Sequence, residues 1–181
     1  MSRTVYTKLC AARSQLYTAI YLYIHNKDPA SICTLSEAAA GISRDLLKKE
    51  GKKYFNCMFD VIDSKKLVEI FDKKQNFFSE CIYKHRNWLK HSKNDKINDK
   101  IIINDDHVRL LLLSAIHDFC LLTDDVSDIC AAFIDWMALH DPILFVDKTF
   151  VNSERLAGLN YLLNDRKSFF DHMAPLFMKN M

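Results

Sequence analysis

The chain has 181 residues, a hydrophobic fraction of 49% and a charged fraction of 27%, which fit one globular domain with its own core and exclude a disordered chain. Three glycines and three prolines, where average usage would supply roughly a dozen and about nine, leave too few turn residues for a β protein and predict an all-α fold. A net charge of +2 makes no global field for a polyanion, so any nucleic-acid surface has to be local.

Residues Met1 to Cys10 hold no apolar signal segment, and no later run approaches a membrane span. The most apolar stretch, Leu110 to Leu113, is cut by Ser114, His117 and Asp118. A cytoplasmic protein without a membrane partner is expected.

Apolar residues recur at helical spacing through Val5, Leu9, Ala12, Leu16, Ile20 and Tyr23, which predicts a first long helix ended by His25, Asn26 and Lys27. Asp28 then caps a second helix with Pro29 at its first position, and Gly51 stops it. Lys48, Lys49, Lys52 and Lys53 suit the negative end of that helix. Tyr54 to Ile62 reads as a brief helix, and Ser64 opens a third long helix that ends near His91. Ser92 to Lys100 alternates Ser, Lys, Asn and Asp and reads as an exposed loop, followed by a short extended piece at Ile101 to Ile103. A fourth long helix is expected from about Asp105 to Leu122, capped by Asn104 or Asp105. A fifth follows from about Asp125 to His140, stopped by Asp141-Pro142. Ser153 caps a helix toward Asn164, and a last short one reaches Phe177. Together these make a single helical domain over 1–181, a bundle of four long helices with shorter C-terminal helices.

Six cysteines, at 10, 33, 57, 81, 120 and 130, contain no C-x-x-C pair. Reduced thiols and no metal site are expected. With so few glycines, no phosphate-cradling loop exists either, and no cofactor is expected.

One window departs from the mixed charge of the rest. Between Cys81 and Asn94 stand Lys84, His85, Arg86, Lys90, His91 and Lys93, with no acid. Cations at a helix C-terminus offset the macrodipole, and that accounts for a basic helix end by itself. The mixture of groups suggests more. Arg86 is a permanent cation whose planar fork suits phosphate, and His91 exchanges protons near neutral pH. Asn87 lies one helical turn before His91 on the same face. Arg86 and His91, five residues apart, are about 140° apart around an ideal helix. They converge only if the helix frays or if a second subunit brings in its own copy.

Arg86-Asn87-x-x-x-His91 at the end of a long helix resembles the R-x4–6-H signature of HEPN domains, with the polar residue that often follows the Arg. The second helix, Thr34 through Lys52, resembles the Ala-rich, Glu-containing second helix of several such proteins. The resemblance covers about 5–122, with about 125–181 as a C-terminal helical extension. It implies a metal-independent endoribonuclease acting as a homodimer, a toxin or defence component with a cognate antitoxin protein. Arg86, Asn87 and His91 would be catalytic, and Lys84, His85, Trp88, Lys90 and Lys93 would bind RNA. The alternative is a non-catalytic HEPN-like module that binds RNA, a nucleotide or a partner protein. Trp88 either stacks on a base or fills a bundle or dimer interface.

Arg166 and His172 fit the same spacing, but Asp165, Asp171 and Phe169-Phe170 around them read as a packed terminal helix with local ion pairs. Asp105-Asp106-His107 looks like a metal fragment and is better explained by helix capping. His117 and His140 read as structural.

Overall fold

Helix α1, Lys8–Ile24, begins where Thr7 accepts the Cys10 N–H with its hydroxyl at 3.0 Å. The expected start at Val5 lies outside the helix, and Val5 is 91% exposed. The cap explains the difference, because its side chain occupies an orphan amide of the first turn. The helix ends in a Schellman turn. Asn26 adopts φ 50°, its N–H donates to the Tyr23 carbonyl at 3.1 Å, and the Lys27 N–H donates to the Leu22 carbonyl at 2.9 Å.

This computed structural model describes residues 5–52, 87–89, 100–142 and 165–177. The expected helices at Tyr54–Ile62 and Ser153–Asn164 lie outside them, as does most of the long helix from Ser64 and of the loop from Ser92.

Helix α2, Pro29–Lys49, starts as read: Asp28 accepts the Ser31 N–H at 2.8 Å, with proline in the first turn. Its end is a second Schellman turn, with Gly51 at φ 69°, Gly51 N–H on the Lys48 carbonyl and Lys52 N–H on the Leu47 carbonyl. The inner face carries Ile32, Cys33, Ser36, Ala39, Ala40, Ser43 and Leu47, spaced by threes and fours. Small side chains at its middle let the neighbouring backbones come close. Among the described helices the most extensive packing is α1 on α2 and α2 on α3.

Helix α3, Asp105–Thr123, is capped by Asn104, whose side chain accepts the His107 N–H at 2.9 Å. Every residue from Val108 to Ile116 is buried. A helix buried on all sides is the central element of a helical core, and this is why its apolar run is too continuous for an amphipathic surface helix. Asp124 closes α3 in the left-handed region at φ 51°, which ordinarily favours Gly or Asn. Helix α4, Asp128–His140, therefore starts three residues later than the expected Asp125, with Ser127 at its N-cap position. Helix α5, Arg166–Phe177, packs on α4 and α1.

The core gathers Leu16, Ile20 and Tyr23 from α1, Leu47 from α2, Leu112 and Ile116 from α3, Phe133, Trp136 and Met137 from α4, and Phe169 from α5. Tyr23 meets Phe133 and Trp136 edge-on, at centroid distances of 5.6 and 5.7 Å. No strand occurs among the described residues, and Ile101 to Ile103 carry no regular structure. No described helix is long and apolar enough to cross a membrane.

Candidate functional site

Residues 87–89 are helical. Successive side chains on a helix turn by about 100°, and the three residues divide accordingly. Leu89 packs against the core, whereas Asn87 is exposed and Trp88 is 37% exposed. Two of the three described residues of the basic window therefore face outward while the third anchors the turn. The other expected site residues, Lys84, His85, Arg86, Lys90, His91 and Lys93, lie outside the described residues.

A second constellation forms where the start of α3 meets the ends of α4 and α1. Arg109 is buried on α3, with Asp105 and Asp106 one turn before it. Its guanidinium pairs with Asp105 at 3.4 Å, with Asp106, and with Asp141 at 2.9 Å. It also donates to His140 Nδ1 at 2.6 Å and lies over the Trp136 ring. Burial works against the Arg109 charge, but Asp141 and Asp106 outweigh it and hold the pKa above the ordinary value.

Arg166 of α5 joins the same group. It pairs with Asp105 at 3.1 Å and sits 4.0 Å above the Tyr23 ring. The Tyr23 hydroxyl donates to Asp105 at 3.2 Å, and burial followed by the Asp105 charge pushes its pKa up. Arg166 thus bonds across the fold, while Lys167 and Asp171 make the local pair of that helix at 2.8 Å. This use of Arg166 separates it from the basic window, although its spacing to His172 fits the same signature.

Chemically the constellation is a clamp. Asp105 is shared among Tyr23, Arg109 and Arg166, so it is poorly placed to take a substrate proton. A cleft of about 230 Å³ beside it is lined by Tyr23, Lys27, Ile32, Ile103, Asp105 and Arg166, smaller than the several hundred Å³ usual for drug-sized ligands. No group of three His, Cys, Asp or Glu side chains among the described residues is placed to hold a metal ion. The Asp105-Asp106-His107 triplet serves as the first turn of α3, in keeping with the capping reading. The signal for the clamp was present in the sequence as acids three and four residues before Arg109. Its long-range partners were not.

The described cysteines are free thiols, with Cys33 and Cys130 buried, Cys120 partly buried and Cys10 exposed. Burial pushes the Cys33 thiol up to about 12, which leaves it inert.

Comparison with protein-family models, with curated proteins and with solved structures finds no match.

Proposed function

We propose that the chain is a HEPN-like, metal-independent endoribonuclease that acts as a homodimer in a toxin–antitoxin or other defence setting. The observation that carries the reading is the outward placement of Asn87 and Trp88 beside the anchoring Leu89, within an acid-free basic window. A signature whose polar residue pointed into the core would be structural. In this reading the helix from Ser64 to His91 completes a bundle of four long helices, with the C-terminal helices as an extension.

The RNA 2′-OH attacks the adjacent phosphorus, with His91 moving the proton. Arg86 stabilises charge on the phosphoryl oxygens. Asn87 orients His91 or holds a phosphate. Lys84, His85, Lys90 and Lys93 follow the backbone, and Trp88 stacks on a base. The products carry 2′,3′-cyclic phosphate ends. Two subunits place their copies of Arg86 and His91 face to face, which resolves the angular separation along one helix. The setting is cytoplasmic, with a protein antitoxin masking the site.

The test is cleavage of labelled RNA by the full-length protein in excess EDTA, together with its mass in solution. A dimer that cuts RNA, and loses cutting but not dimerisation in Arg86→Ala and in His91→Ala, supports the proposal. Cleavage that survives both substitutions overturns it. An intact dimer that shifts RNA mobility without cutting assigns the chain to the non-catalytic binding alternative. A folded monomer indifferent to RNA makes the basic window a helix end and nothing more.

A further inference from the structure

The turn that joins α1 to α2 and the starts of α3 and α5 border the cleft of about 230 Å³, whose lining mixes apolar and charged groups. Ile32 and Val108, each 2% exposed, form apolar wall together with Pro29 and the partly buried Ile103. The charged lining is two cations, Lys27 and Arg166, and one acid, Asp105. We propose that the cleft binds a short-chain aliphatic carboxylate, with its carboxylate on Lys27 and Arg166 and its hydrocarbon body against Ile32, Ile103 and Val108.

The acids of this region are committed and the cations are not. Asp105 accepts from the Tyr23 hydroxyl and pairs with both Arg109 and Arg166. Asp28, next to Lys27 in the chain, accepts from the Ser31 N–H at 2.8 Å and from its hydroxyl at 2.6 Å. Arg166 uses Nη1 for Asp105 at 3.1 Å and for the Tyr23 carbonyl at 3.5 Å, and its flat face for the Tyr23 ring. Its Nε and Nη2 donors have no partner among the described residues. The Lys27 side chain is exposed and has no ion pair or hydrogen bond among those residues. Its backbone is pinned all the same, because its N–H closes the Schellman turn on the Leu22 carbonyl at 2.9 Å. An ammonium at a fixed turn and a guanidinium with open donors therefore border one apolar wall.

Charge, size and chemistry select the ligand class. Two cations against one acid favour a monoanion over an amine or a neutral molecule, and a second negative charge on the ligand would meet Asp105. A planar carboxylate accepts from guanidinium and ammonium donors at once. The apolar wall favours a ligand with a hydrocarbon body, since covering that wall removes apolar surface from water on both sides. Inorganic phosphate has no such body. The volume lies below that of pockets for drug-sized molecules, which limits the body to a few carbons.

The test is a ligand-observed NMR titration of the full-length protein with isovalerate. Isoamyl alcohol keeps the body without the charge, acetate keeps the charge without the body, and isoamylamine reverses the charge. Saturable binding of isovalerate is expected, with each comparator weaker by about tenfold or more. Lys27→Gln alters an exposed side chain and is expected to keep the melting temperature while lowering isovalerate affinity about tenfold. Lys27→Arg is expected to retain binding. Absence of saturable isovalerate binding overturns the proposal. So does a comparator that binds as tightly as isovalerate, or an affinity unchanged in Lys27→Gln. The four ligands on the unaltered protein decide the matter even if a variant is unstable. The outcome is also independent of whether the protein cuts RNA.

Discussion

Arg44 of α2 and Asp118 of α3 form an ion pair of 2.6 Å, with the Asp118 side chain only 3% exposed. The same guanidinium donates to the Ser114 hydroxyl at 3.2 Å, one helical turn earlier on α3. The pair joins two helices whose packing is among the most extensive of the described elements. A buried pair contributes little net stability but costs heavily when halved, because the partner stays charged and desolvated. Arg44→Ala is expected to lower stability by about 3 kcal/mol, whereas Arg44→Met with Asp118→Leu loses far less. Urea unfolding of the three proteins checks this, and equal losses in single and double variants would refute it.

Gly51 at φ 69° supplies the left-handed residue of the α2 Schellman turn, and an added Cβ would meet no atom within 4 Å. The cost of Gly51→Ala is therefore backbone strain alone, about 1–2 kcal/mol. Gly51→Asn, which tolerates that region, is expected to lose less. Thermal denaturation of the two variants orders them. An alanine variant as stable as the parent would mean that the turn has no such requirement.

The α2 cap makes a pH prediction. The Ser31 hydroxyl, and then its N–H, hold the Asp28 carboxyl below the ordinary carboxylate value. Its folded pKa is thus lower than its unfolded one, so the stabilisation is complete above about pH 4. It is lost as the pH falls through the folded value. Asp28→Ala is expected to cost about 1 kcal/mol at pH 7, with the difference from the parent shrinking below pH 4. Asp28→Asn keeps an acceptor and removes the titration. Melting curves from pH 7 to 3 test this, and parallel curves for parent and alanine variant would contradict it.

Trp88 bears on the RNA reading. At 37% exposure its ring has surface to offer a base. Trp88→Ala is expected to weaken RNA binding by about 1–3 kcal/mol, with a melting temperature near that of the parent. Leu89→Ala should do the reverse, since Leu89 packs against the core. Fluorescence anisotropy and thermal melts separate the two. A Trp88 variant that unfolds readily while binding RNA normally would place the ring in the core.

Helix ends were legible in the sequence because capping acts over a few residues. Asp28 with Pro29, Gly51, and Asn104 each do what residue type and spacing dictate. The late start of α4 was missed because a non-glycine residue, Asp124, takes the left-handed position, and its ion pair to Lys52 at 2.8 Å comes from the turn that closes α2, far away in sequence. Of the basic window, the sequence determined the chemical mixture, and the fold decided that Asn87 and Trp88 face outward while Leu89 turns in. The sharing of Asp105 by Tyr23, Arg109 and Arg166 and the Arg44–Asp118 pair were decided by tertiary structure alone. Hydrogen bonds within one turn follow from local order along the chain. Contacts between helices depend on how each element is rotated and seated, and that is set by the collective burial of a core rather than by any one stretch of residues.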